Sequence, residues 1–243
     1  MHRRPLHRAP YSRSRRLAGA LALAAGLAAP LLLLGGAEAA ASVGTCDASS
    51  GTVTVASGAT ATVVRSGDKI TVPNCGGTGS VLGTVGSVDR VLFEGGGSGA
   101  TVVIDLTGGH FPSSLKFDLN LGTGGAGAHS AGGTLSIVGS GGPDDIVAGS
   151  FGAALNGDDI VDVGSGCDPA CIDPPSVDDI TIEGGGGDDS LSAAGSPATG
   201  AASEAPVILD GGTGINTLDF SRAAGPVTAN LYQHTASGAK RVT

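Results

Sequence analysis

Four pairs of adjacent aspartates are the groups best placed to do chemistry: Asp144-Asp145, Asp158-Asp159, Asp178-Asp179 and Asp188-Asp189. Carboxylates beside glycine-rich turns suit a hard divalent cation, because glycine lets successive carbonyls bend toward one point while the acid supplies charge. Calcium takes roughly six to eight oxygen ligands in irregular geometry, whereas magnesium demands a tighter octahedral shell. In Gly184–Ser192, glycines at positions one, two and four precede an aspartate at six and an apolar residue at eight. Gly211–Asp219 repeats the pattern with Asn216 at position six, and Gly139–Val147 repeats it with Ser140 at position two. The plain alternative for each acid is a solvated turn residue with no ligand.

These turns need elements to hold them. Each follows alternating apolar residues: Leu135 and Ile137, Ile180 and Ile182, Val207 and Leu209. Alternate positions share one face of a strand, and the residue at position eight (Ile146, Leu191 or Leu218) opens a second strand. The copies align at offsets of 45 and 27 residues, and a weaker copy begins at Val91 with Ala100 at the acidic position. Asn156–Ile160 and Ser176–Ile180 keep only the acidic turn and the apolar residue after it. One such unit cannot bury its own apolar stripe, but stacked units can. The expectation is an all-β chain: a right-handed parallel β-helix or β-roll-like solenoid with irregular rungs. Gly164–Ser176 and Ser192–Ala205 would be insertions on its sides. The competing reading is a linker-like disordered segment, against which Val, Ile and Leu sit at strand positions.

On these stretches, together with Ala224-Gly225-Pro226-Val227-Thr228-Ala229-Asn230-Leu231, residues 88–235 resemble the repeats-in-toxin, or hemolysin-type, calcium-binding proteins secreted by bacteria. The resemblance implies side-chain calcium ligands at Asp144, Asp189 and Asn216, with carbonyl ligands from Gly184, Gly186, Gly211 and Thr213. Asp188 and Asp158 are further candidates. Two departures weaken the likeness. No two unbroken nonapeptides stand back to back, and Asn216 has lost the charge.

The N-terminus reads as an export signal. Six Arg and no acid occupy residues 1–16, Leu17–Leu34 is apolar, and Ala37-Glu38-Ala39 offers a small-x-small cleavage site. Residues 1–41 are therefore assigned to a signal peptide, 42–87 to an N-terminal β segment capping the solenoid, 88–235 to the repeat region and 236–243 to a tail. Without residues 1–39 the chain has 7 basic and 21 acidic residues, and Asp144–Asp219 holds fifteen acids and no Lys or Arg. Such a surface repels nucleic acid and anionic membrane, so calcium ions and extracellular or cell-surface partners are expected instead. An exported chain meets an oxidising compartment, which favours disulfides among Cys46, Cys75, Cys167 and Cys171. Three connectivities are open, with Cys46–Cys75 and Cys167–Cys171 preferred as the local pairs.

Catalysis finds little support. A polysaccharide-acting enzyme would need basic and aromatic residues along a groove, and the acidic stretch has no Lys or Arg. His110, His129 and His234 are scattered in Gly- or Ser-rich contexts, no G-x-S-x-G elbow occurs, and Gly184–Gly187 opens no helix. The expected function is a secreted calcium-binding protein and not an enzyme. The main alternative is a structural or adhesive surface protein with vestigial calcium sites.

Overall fold

The computed structural model describes residues 43–73, 75–77, 80–95, 99–121, 132–158, 160–165 and 177–223, with the strand backbones Thr228–Asn230 and Thr235–Ser237. The assigned signal segment and the Cys167–Cys171 pair lie outside the described residues.

The strands form a ten-stranded sheet, a seven-stranded sheet and a separate two-stranded hairpin. In the larger sheet the order is Thr217–Leu218, Ser190–Ser192, Asp145–Gly149, Gly152–Ala154, Val163–Ser165, Lys116–Asn120, Arg90–Gly95, Thr52–Val55, Gly44–Asp47 and Gly76–Gly77. In the smaller it is Val207–Asp210, Asp179–Glu183, Thr134–Val138, Thr101–Asp105, Thr60–Ser66, Lys69–Thr71 and Val81–Thr84.

Alternation decides the faces. Leu135, Ile137, Ile180 and Ile182 are buried, while Ser136 and Thr181 between them are half-exposed. Buried residues from both sheets belong to one apolar cluster, with Phe93, Phe117, Ile104, Leu106 and Leu121 among its largest members. Phe111 packs edge-on against Phe117 with ring centroids 5.0 Å apart. A core so poor in aromatics depends on many small contacts. Val, Ile and Leu fill the strand positions that larger rings would otherwise occupy.

The repeat offsets reappear as strand register. Leu135 pairs in parallel with Ile180, and Ile180 with Val207. In the other sheet Ile146 pairs with Leu191, and Leu191 with Leu218. The weaker copy at Val91 does not continue this series. Val91 pairs with Phe117 in the larger sheet, and the strand beside Leu135 is Thr101–Asp105, through Val102.

The expected right-handed parallel β-helix or β-roll-like solenoid is not what the chain forms. Among the described residues the strands make two mixed, mostly parallel sheets with no closed solenoid. Gly152–Ala154 turns back antiparallel on Asp145–Gly149, and Val163–Ser165 pairs antiparallel with it in turn. Two strands therefore separate Asp145–Gly149 from Lys116–Asn120. The physical reason is connection length: an antiparallel return needs only a two-residue link, here Ser150-Phe151, whereas a parallel return needs a long crossover. Gly152, at φ 133°, sits where that return begins. The far ends of both sheets are antiparallel as well, through Gly44–Asp47 with Thr52–Val55 and Lys69–Thr71 with its two neighbours. An apolar pair followed by glycines marks both kinds of return, so the pattern alone does not separate them.

Cys46 and Cys75 form a disulfide that ties Gly44–Asp47 to the segment before Gly76–Gly77. The segment Ser192–Ala205 folds onto the core through buried Ala193 and Ala194, with Ser196 Oγ accepting the backbone N–H groups of Ala198 and Thr199.

Candidate functional site

The three glycine turns, Gly139–Asp144, Gly184–Asp189 and Gly211–Asn216, lie beside one another because the strands before and after them are in register. Their first glycines receive the side chain of the sixth residue. A Cβ on Gly184 would collide with Asp189 Oδ2, one on Gly139 would come within 2.9 Å of Asp144 Oδ2, and one on Gly211 within 2.6 Å of Asn216 Cβ. The second and fourth glycines serve the backbone. Gly185 and Gly187 have φ of 85° and 121°, matched by 69° and 122° at Gly212 and Gly214.

The sixth residues form a file of side chain-to-backbone bonds. Asp144 N–H donates to Asp189 Oδ1, and Asp189 N–H donates to Asn216 Oδ1, each at 2.9 Å. The turn backbones bond to one another as well. Gly186 N–H donates to the Ser140 carbonyl at 3.1 Å, Thr213 N–H to Gly185 at 2.9 Å, and Gly187 N–H to Thr213 at 2.9 Å. Asp144 is 3 % exposed and Asp189 1 % exposed. Each has one buried carboxylate oxygen without a hydrogen bond, Asp144 Oδ1 and Asp189 Oδ2. Burying a carboxylate is costly unless its oxygens are compensated, so these two atoms are where a cation or donor is wanted.

The structure thus brings together Asp144, Asp189, Asn216, Gly184, Gly186, Gly211 and Thr213. Asp188 also joins them, exposed, its Oδ1 accepting Ile215 N–H at 2.8 Å. Asp158 does not. It is exposed in the stretch after Gly152–Ala154, where its Oδ1 accepts Ile160 N–H at 3.0 Å. Two expected ligand atoms are already engaged: the Thr213 carbonyl accepts Gly187 N–H, and Asn216 Oδ1 accepts Asp189 N–H. Among the described residues no group of three or more His, Cys, Asp or Glu converges as a metal-ligating cluster.

Sequence reasoning passed over a second polar network. His110, in the loop after Thr101–Asp105, places Nε2 3.3 Å from Asp144 Oδ1 and Nδ1 3.3 Å from Asn156 Oδ1. The Asn156 amide nitrogen donates to Asp162 Oδ2 at 3.4 Å, which also accepts Leu155 N–H at 2.9 Å, while Lys116 Nζ donates to Oδ1 at 3.2 Å. Burial raises the Asp162 carboxyl above the ordinary carboxylate range, against the lowering pull of Leu155 N–H and Lys116. Burial likewise raises Asp118, against the opposing charge of Arg90, with which it is paired. No spacing announces these groups, since their partners are 28 and 46 residues away in sequence.

No family model, curated protein or solved structure matches this chain. The reading of the site therefore rests on its own geometry. The donor set suits a hard cation at one place: Asp189 Oδ2, buried and unpartnered, with the Gly211 carbonyl on the same side of Gly184.

Proposed function

We propose that the chain is an exported calcium-binding protein in which the cation orders the acidic glycine turns. The observation that carries this is Asp189 Oδ2, a buried carboxylate oxygen without a hydrogen bond, on the same side of Gly184 as the Gly211 carbonyl of the adjoining turn. A cation there compensates the carboxylate and draws Gly184–Asp189 and Gly211–Asn216 together, so binding and ordering become one event. Asp189 Oδ2 and the Gly211 carbonyl would hold the ion, while the Gly184 carbonyl lies against Gly139 on the Asp144 side. Asp188 and Asp210, both exposed nearby, would add negative potential without direct ligation.

A second reading has an observation of its own. The turns already cohere through backbone bonds and the Asp144–Asp189–Asn216 file, which need no metal. On that reading the protein is a structural or adhesive surface scaffold. A catalytic reading gains less: Lys116 does stand beside an acid, but Asp162 is 2 % exposed and its oxygens are turned to Leu155, Asn156 and Lys116.

Calcium titration of the metal-free, oxidised protein separates the two main readings, with far-UV circular dichroism and melting temperature followed together. The calcium reading expects a rise in melting temperature at up to millimolar calcium, little effect of equal magnesium, and a loss of the response in Asp189→Asn. A protein indifferent to calcium favours the scaffold.

A further inference from the structure

Asp144 Oδ2 and Asp189 Oδ2 occupy equivalent positions in neighbouring turns, each against the first glycine of its turn, yet their surroundings differ. At the Asp144 turn, serine replaces the second glycine, and Ser140 donates twice to Asp144 Oδ2, from its backbone N–H at 2.7 Å and its hydroxyl at 3.0 Å. Asp144 Oδ1 then has the basic atom His110 Nε2 at 3.3 Å, close enough for an ion pair though not aligned for a hydrogen bond. His110 is pinned from two further directions: Arg65 Nη1 donates to its carbonyl at 2.7 Å, and Asn156 Oδ1 faces Nδ1. At the Asp189 turn Gly185 brings no hydroxyl, and no basic side chain is paired with Asp189 among the described residues. Asp189 Oδ1 takes the Asp144 N–H, while Oδ2 is left with the glycine Cα and a carbonyl.

We propose that His110 and Ser140 do at the Asp144 turn what a divalent cation does at the Asp189 turn, so that calcium is confined to the pocket between Gly184–Asp189 and Gly211–Asn216. This rests on the calcium reading above and narrows it: of two carboxylates that the repeat makes alike, one is met by the protein's own side chains and the other by the ion. A side-chain clasp of this kind holds the turn beside Ser140 without metal. It also ties the loop carrying His110 to Asn156 and thence to Asp162.

The test uses the oxidised full-length mature chain, with calcium alone as the probe. Bound calcium is measured by equilibrium dialysis, and melting temperature is read in chelator and in millimolar calcium. His110 is 42 % exposed at its side chain, so His110→Gln is expected to fold. The wild type and Asp144→Asn should show the same calcium-induced rise, and Asp189→Asn should lose it. His110→Gln should enlarge the rise and bind about one further ion, with His110→Gln/Asp144→Asn returning both to the wild-type level. Loss of the response in Asp144→Asn, or no gain in His110→Gln, overturns the proposal. A wild type that ignores calcium sinks the calcium reading itself. The clasp is then judged in chelator alone, where additive effects of His110→Gln and Asp144→Asn overturn it and non-additive effects uphold it.

Discussion

The backbone N–H of Asp144 donates to Asp189 Oδ1 at 2.9 Å across 45 residues of sequence, so the side chain of one turn is the hydrogen-bond partner of the preceding turn's backbone. That bond makes position 189 structural as well as charged, and two substitutions separate the roles. Asp189→Ala leaves a buried N–H without its acceptor, which costs about 1–3 kcal/mol. Asp189→Asn keeps an oxygen in place and removes only the charge. In metal-free protein, urea denaturation should show Asn well above Ala in stability. Equal losses would mean that the charge, not the acceptor, holds the turn.

Position one of each turn has a steric reason to be glycine. A Cβ at Gly184 would strike Asp189 Oδ2 and lie 2.8 Å from the Gly211 carbonyl, whereas one at Gly141 meets nothing within 4 Å. Gly184→Ala should therefore lower stability by about 1–3 kcal/mol, the usual cost of overpacking. Gly141→Ala should be neutral or stabilising by a few tenths of a kcal/mol, through the unfolded chain. Thermal unfolding of the two variants side by side is the measurement. A Gly184→Ala protein as stable as the wild type would refute the packing of Asp189 against this glycine.

Much of this was legible in the residues, and the limit is a physical one. Leu135, Ile180 and Val207 stand in sequence as they stand in register, because alternation and a shared turn length define a strand pair locally. The file of Asp144, Asp189 and Asn216 follows from the same alignment. What alternation does not encode is strand direction. Gly152–Ala154 and Val163–Ser165 offer too few residues to show whether the chain continues or doubles back, and a hairpin resulted where a stacked parallel strand was expected. Val91 was misplaced for a related reason. Val91-Leu92-Phe93 and Val102-Val103-Ile104 are equally apolar, and only the sheet assignment of the neighbouring strands distinguishes them. His110 stands in a Gly-rich context with no spacing to mark it, because its partners, Asp144 and Asn156, are brought to it solely by the folding of both sheets.

The buried carboxylates bear on acid behaviour. Burial raises Asp162, so between the ordinary value of 3.8 and its higher folded value the native chain holds a proton that the unfolded chain has released. Its contribution to stability is thus present below pH 3.8 and is lost as pH rises through that window. Asp118 acts in the same sense through burial. Asp219 is lowered by the Ser221 N–H, so it favours stability above the ordinary value, but its exposure keeps that effect small. Asp162→Asn removes this falling component, so the acid limb of a stability-versus-pH curve should rise more steeply above pH 3.8 than in the wild type. A limb unchanged by Asp162→Asn would show that Lys116 and the Leu155 N–H fully offset the burial.

The Cys46–Cys75 disulfide permits a last test, of how the two ends of the sheets depend on each other. The bridge spans 29 residues and joins strands at the end of the larger sheet farthest from the glycine turns. Loop-closure entropy assigns such a bridge about 3.5 kcal/mol, less whatever structure the reduced unfolded chain retains. Cys46→Ala/Cys75→Ala should lower the urea midpoint by a corresponding amount. Amide exchange tells where the loss falls. If Gly44–Asp47 and Thr52–Val55 lose protection while Leu135–Ile137 and Ile180–Ile182 keep theirs, the antiparallel end opens as a unit of its own. The shared apolar cluster argues for the other outcome: Val53 and Val55 pack in one core with Leu135 and Ile180, and strands bound through one core exchange together. Uniform loss of protection across both sheets is therefore the expected result, and protection confined to the glycine-turn end would divide the core in two.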